Sequence, residues 1–202
     1  MTEWIEDIAA LQAHYGQPVA AATEKVTDRL TPAYRRWIER SRFVVLVTVG
    51  PGGTDGSPRG DDGPVVEVLD ERRLLLPDWR GNDRIDSLRN IVEDGRLSLM
   101  FMVPGSNNVI RVNGRGRVTA DPKWTGRFER QGKTPRAVVA IEIAEVYSQC
   151  ARALMRARLW GAGDESSGLP TVGEMLAEAS KGAVGGPDYD VAWAGRAAGT
   201  MW

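Results

Sequence analysis

At Arg42 the hydrophobic period of this chain changes. Upstream, apolar residues recur every three or four positions; downstream they come in short β-branched runs divided by turn residues. "RFVVLVTVG" has the length of a strand and is ended by the turn cluster "PGGTDG". Continuing along the chain, the expected strands are 42–49, 63–69, 73–78, 96–103, 108–119 and 136–149. Most are joined by tight turns, which favours antiparallel pairing. A doubly wound parallel sheet needs a helix after most strands, and only one clear helix interrupts this region. The expected fold is mainly β: a closed antiparallel six-stranded barrel with flanking helices.

Ile5, Ile8, Leu11 and Tyr15 share one face of a first helix. Thr31-Pro32 opens a second, with Pro at its first position, running through Tyr34, Trp37 and Ile38 to Ser41. "RGNDRIDSLRNIVEDG" is the helix inside the β region. Asn82 is its expected N-cap, Ile85, Leu88 and Val92 its inner stripe, and Gly95 follows its end. Asp121-Pro122 starts a short helix, and "ARALMRARLW" is helical again. Beyond Trp160, "GAGDESSGLP" reads as a linker, and Thr171 with Glu174 gives a capping-box signal. The Gly- and Ala-rich remainder is too thin for a core of its own, so it is expected to pack across the barrel or onto a partner chain. This divides the chain into N-terminal helices packing on the barrel (1–41), a barrel domain (42–160) and a C-terminal extension (161–202).

Composition narrows the chemistry. Lys plus Arg total 26 against 27 Asp plus Glu, a net charge of −1, which argues against a protein that coats nucleic acid or an anionic membrane. His14 and Cys150 are the single residues of their types, so a zinc site of Cys and His ligands, a disulfide within the chain and a CxxC pair are all excluded. No metal is expected. No apolar run approaches the ~20 residues of a membrane span, and the acidic start lacks the basic and apolar regions of a signal peptide. With one Cys, the expected location is cytoplasmic.

Three segments carry candidate binding residues. In "LLLPDWRGNDRIDSLRNI" a strand ends at Pro77-Asp78, and a loop with Arg80 and Asn82 leads to a helix start near Arg84. Free N–H groups and two arginines there suit a phosphate monoester; the competing reading is an ordinary capped helix with solvated arginines. In "TDGSPRGDDGPV", Gly60 allows backbone to approach a flat ligand beside Arg59. Asp61 and Asp62 point to opposite faces of a strand and make no catalytic pair. In "PGSNNVIRVNG", Asn108 and Arg111 start another strand, where amides suit the dione edge of a flavin. The GxG of "VNGRGRV" lies within a strand, with no helix after it, and reads as glycines that permit curvature or close packing rather than as a dinucleotide fingerprint.

These segments, with "RFVVLVTVGPGGTDGSPRGDDG", "RRLLLPDWRGNDRIDSLRNIVEDGRLSLMFMVPG", "NNVIRVNGRGRVT" and "VVAIEIAEVYSQCARALMRARLW", resemble the FMN-binding split barrel of the pyridoxamine 5′-phosphate oxidase superfamily over roughly residues 40–155. The resemblance implies an FMN-dependent oxidoreductase and a homodimer with FMN at the interface. It implies FMN contacts at Arg59, with Gly60 and Asp61 beside it, at Pro77 and Asp78 by the ring, and at Asn82 and Arg84 by the phosphate. Asn108 and Arg111 would contribute across the dimer interface. The redox work would belong to the flavin, acting on a small-molecule substrate. Where the oxidases themselves continue with apolar residues and a lysine, this chain has Gly60-Asp61-Asp62-Gly63, so the cofactor carries over better than the vitamin B6 substrate. A protein that binds flavin, deazaflavin or haem without turnover is the alternative reading.

Overall fold

A computed structural model describes residues 2–202. Its frame is one antiparallel sheet of seven strands: β1 (Phe43–Gly50), β2 (Gly53–Gly60), β3 (Glu67–Val68), β4 (Arg73–Asp78), β5 (Arg96–Met102), β6 (Val109–Thr119) and β7 (Ala137–Gln149). The lateral order is β2-β1-β5-β6-β7-β4-β3. β2 and β3 are therefore edges, and no ladder joins them among the described residues. The expected six-stranded closed barrel becomes an open seven-stranded sheet. Its ends nevertheless face each other, because Arg59 of β2 pairs with Asp78 of β4.

The strand absent from the expectation is β2. The sequence pattern divides its residues between the turn cluster "PGGTDG" and a glycine-broken stretch from Ser57, yet Gly50 pairs with Gly53 across a tight Pro51-Gly52 turn and the ladder runs on to Gly60. An edge strand tolerates Pro58 and its glycines because one side of its backbone needs no partner. The expected strand 63–69 shrinks to β3.

Alternate residues of β1 (Val44, Leu46), β5 (Leu97, Leu99, Phe101), β6 (Ile110, Val112) and β7 (Val139, Ile141) fill the inner face. Helix α3 (Pro32–Ile38) closes one side with a fully buried Ile38; Thr31 caps it by accepting from the Tyr34 N–H. The other N-terminal helices, α1 (Ile8–Ala13) and α2 (Ala20–Thr23), bury no residue, so of the N-terminal helices expected to pack on the barrel only α3 does so. Helix α4 (Asp86–Glu93) buries Ser87 and Ile91. The expected stripe is thus rotated: Leu88 packs on the core, but Ile85 lies outside the helical period as a left-handed N-cap and Val92 is 73% exposed. The hydrogen bond from Ser87 to the Asp55 carboxylate on β2 draws the helix round. α5 (Pro122–Thr125) and α6 (Arg152–Ala157) follow expectation. α7 (Val172–Ala179) starts at the Thr171/Glu174 capping box, and α8 (Pro187–Thr200) is a helix where a tail was expected.

The glycines of "VNGRGRV" work by close packing. At the bulge between Asn113 and Gly114, a Cβ on Gly114 would stand 2.1 Å from the Glu142 carbonyl oxygen, and one on Gly116 would meet Leu97, Val139 and Ile91. Gly114→Val is expected to cost about 3 kcal/mol, the upper end of ordinary overpacking. That predicts a melting temperature lower by roughly 6–12 °C in a chain of this size, measurable by calorimetry. Unchanged melting would show that the bulge accommodates a side chain.

Asp94 ends α4 and accepts from the Arg96 guanidinium at 2.7 and 2.8 Å and from the Arg96 N–H. The guanidinium holds its carboxyl at about 2, below the ordinary 3.8. A depressed folded value means that the contribution to stability is complete above the unfolded value and disappears as pH falls from about 4 through about 2. Carboxyl-resolved NMR titration should show this, and Arg96→Ala should raise Asp94 toward the ordinary range, the backbone N–H of residue 96 still lowering it.

Candidate functional site

Register decides what faces the inside of β2. Asp55, Ser57 and Arg59 stand opposite Thr48, Leu46 and Val44, which face the core. Paired residues share a face, so a polar row lines the inner wall of this edge. On β4 the same logic puts Leu74, Leu76 and Asp78 inward, opposite Ile141, Val139 and Ala137. Arg59 Nη1 meets Asp78 Oδ1 at 2.5 Å, with the side chains only 23% and 17% exposed. Arg59 Nε is buried and has no hydrogen-bond partner among the described residues. A buried donor left unmade is costly, which sets Arg59 apart from the exposed arginines around it.

The cleft around it has a volume of about 440 Å³ and is lined by residues of β2 (Ser57 to Gly60), by Asp61, by Pro77, and by the loop from Trp79 to Asn82. A smaller lobe of about 160 Å³ continues past Asp78 to Arg136 and Leu88. The main volume lies within the range of small-molecule sites. A larger apolar cavity of about 510 Å³ under the C-terminal end of α4 is lined by Ile91, Arg115 and Trp124. Among the described residues it holds no orphaned donor, so the Arg59 cleft is the better candidate.

Asp61 is the fixed point of one wall. Its carboxylate is 3% exposed. It accepts from Trp79 Nε1 (3.1 Å), Arg130 Nε (3.2 Å) and the Asp62 and Gly63 N–H groups. Its oxygens are thus engaged within the protein, and its effect on a ligand passes through the indole it holds. Trp79 meets Trp202 edge to face, centroids 5.2 Å apart, and Lys133 Nζ donates to the Trp202 main-chain oxygen at 3.1 Å. Arg130 and Lys133 flank a turn, Gln131-Gly132, with φ of 53° and 75°, so one tight turn ties the C-terminal segment to the cleft.

The loop entering α4 differs from the expected capped start. Asn82 Oδ1 accepts from the Arg84 N–H rather than capping the helix. Asp83 and Ile85 have φ of 61° and 51°, and α4 begins with no side-chain cap. Its first-turn N–H groups are thereby left for an outside acceptor. Arg84, expected at the phosphate, is 74% exposed, pairs with Asp86 at 2.8 Å and lines a separate hollow beside the β1–β2 turn. Asp83 takes Arg136 at 2.6 Å.

Six of the expected residues thus converge on one cleft: Arg59, Gly60, Asp61, Pro77, Asp78 and Asn82. Asn108 and Arg111 do not. Asn108 immediately precedes β6 and Arg111 lies within it, three strands from β2 and two from β4, and Arg111 lies over Tyr147 and donates to Gln149. Arg130, Lys133, Arg136 and Trp202 were missed; the Gln-Gly turn signal was there, but nothing local says what the turn holds.

The sequence model for pyridoxamine 5′-phosphate oxidase matches residues 30–150. The chain belongs to the pyridoxamine 5′-phosphate oxidase family. The family region therefore runs from just before α3 through β7 and contains every residue lining the cleft, while Trp202, which meets Trp79, lies beyond it. Among solved structures, the chain is similar to a candidate pyridoxamine 5′-phosphate oxidase from Lactobacillus delbrueckii, with 24% identity, a TM-score of 0.49, and coverage of 60% of this chain and 95% of that one. It is also similar to an FMN-binding protein from Syntrophomonas wolfei, with 16% identity, a TM-score of 0.43, and coverage of 57% and 88%. Both scores fall short of one half, so the family assignment rests on the sequence match. No curated protein matches the chain significantly. No helix among the described residues is long and apolar enough to cross a membrane.

Proposed function

We propose that this family member binds FMN in the Arg59 cleft and acts as an FMN-dependent oxidoreductase on a small-molecule substrate. The observation that carries the reading is a cleft of ligand size lined by Arg59, a mostly buried arginine whose Nε has no partner among the described residues. The residues fit the group. Pro58, Val65, Pro77 and Trp79 offer apolar surface for a flat ring. Arg59 offers a guanidinium donor, and the uncapped first turn of α4 offers N–H groups and a positive dipole end to a phosphate. Bound FMN would supply the electron transfer; the protein's part is to bind, orient and exclude water. Asp61 keeps the Trp79 ring in place, and Asp78 keeps Arg59 turned into the cleft.

We further propose a homodimer with FMN at the interface. Phe43 and Val47 are exposed on the outer face of β1, and Asn108 and Arg111 would reach the flavin only from a second copy. Neither nucleic acid nor membrane enters this reading, and its setting is the cytoplasm. A binder without turnover is the second reading. It is favoured by the lack of any His, Cys or Tyr among the residues lining the cleft.

The test is an absorption spectrum of untreated protein, mass identification of what heat releases, and addition of a nicotinamide donor. Flavin bands that bleach with the donor are expected. Flavin bands that persist with every donor favour the binder, as would deazaflavin or a Soret band. A colourless protein with no thermal shift on added FMN removes the flavin reading.

A further inference from the structure

Every described residue before Lys25 is exposed. Within this stretch α1 holds six residues and buries none. In the sequence Ile5, Ile8, Leu11 and Tyr15 recur at helical spacing as an apolar stripe; Ile8, 68% exposed, and Leu11 carry it within α1. A helix this short does not hold itself in water; a stripe of this kind belongs against a surface. The stretch also carries Glu3, Glu6 and Asp7 and no Lys or Arg.

A second exposed segment has the complementary character. From Cys150 to Gly163 the chain holds Arg152, Arg156 and Arg158 and no acidic residue. Met155, 58% exposed, and Leu159 lie among them. Among the described residues none of these six charges forms an ion pair. One chain thus carries an acidic apolar arm and a basic apolar patch, both open to solvent and not joined to each other.

We propose that the arm, residues 3–15, docks on the Arg152–Leu159 patch of a second copy of this chain, so that two copies exchange arms. The charge complementarity selects the patch. Exposure of both surfaces within one chain selects a second copy, because an arm closing on its own patch would bury them here. Two-fold symmetry makes each contact occur twice. The proposal rests on the two-copy reading above and adds a second contact between the copies to the one at the FMN.

The test uses charge reversal on exposed positions of the full chain, with circular dichroism as a check of folding. One variant is Glu3→Lys with Glu6→Lys; the other is Arg152→Glu with Arg156→Glu. Sedimentation equilibrium should show each alone self-associating at least ~10-fold more weakly, through lost and reversed charge pairs. A mixture of the two should recover association as a mixed dimer, because each arm then faces a patch of opposite sign. Wild-type association should also weaken as salt rises from roughly 0.05 to 0.5 M, a measurement that needs no variant. Variants that dimerise like wild type overturn the arm exchange and leave the dimer standing. Weakened variants that do not recover on mixing also overturn it. A monomeric wild type overturns the two-copy reading itself.

Discussion

Arg59→Ala is expected to weaken FMN binding by about 1.5–3 kcal/mol, the range for hydrogen bonds to a charged group, or roughly 10- to 150-fold. The effect is large because Arg59 is the one cleft cation whose side chain is mostly buried and whose Nε lacks a partner. Its other contact is internal: Asp78 sits at 2.5 Å and competes with any anionic ligand for the same guanidinium. Asp78→Asn keeps an amide oxygen to accept from Arg59 and hold it in place but removes that competing charge, and should leave FMN binding as tight as in wild type or tighter. Opposite signs from the two substitutions identify a ligand contact. If both abolish binding equally, Arg59 and Asp78 merely brace the two ends of the sheet. Fluorescence titration of FMN into apoprotein distinguishes the outcomes. Arg84→Ala should change affinity far less, because its exposed side chain already pairs with Asp86.

Asp61→Ala is expected to lower stability by about 2–4 kcal/mol, because removing one partner of a buried polar set leaves the others unmade. The stranded groups are Trp79 Nε1 and the Gly63 N–H, while the exposed Asp62 N–H and Arg130, about one-third exposed, recover hydration. Asp61→Asn keeps one acceptor oxygen and should lose less. Urea unfolding measures the stability, and tryptophan emission reports whether the indole of Trp79 has moved. A stability change below about 0.5 kcal/mol, the usual range for surface substitutions, would show that water replaces the carboxylate.

Much of the cleft was legible because its parts are local. Pro77-Asp78 ends a strand whose apolar run is unmistakable, and Arg59-Gly60-Asp61 breaks a polar stretch with a glycine. What each residue does there was less legible. Asp61 looks like a ligand-facing acid until the fold brings Arg130 and Trp79 to it from positions far along the chain. Asn82 looks like a helix cap until two left-handed residues delay α4 to Asp86. Edge strand β2 looks like part turn and part broken strand, because strand propensity reads side chains and an edge ladder is held by backbone hydrogen bonds that glycine and serine make as well as valine.

The chain's own order of residues determined the antiparallel β architecture, the packing glycines of β6, the caps of α3 and α7, and the family, all of which depend on neighbours within a few positions or on pattern along a strand. Only the tertiary structure decided that the sheet stays open at β2 and β3, that Arg59 closes on Asp78, and that the segment ending at Trp202 meets Trp79. These contacts join residues from 19 to 123 positions apart. They follow from how far the sheet curls, a sum over many small twists that no short stretch of sequence encodes.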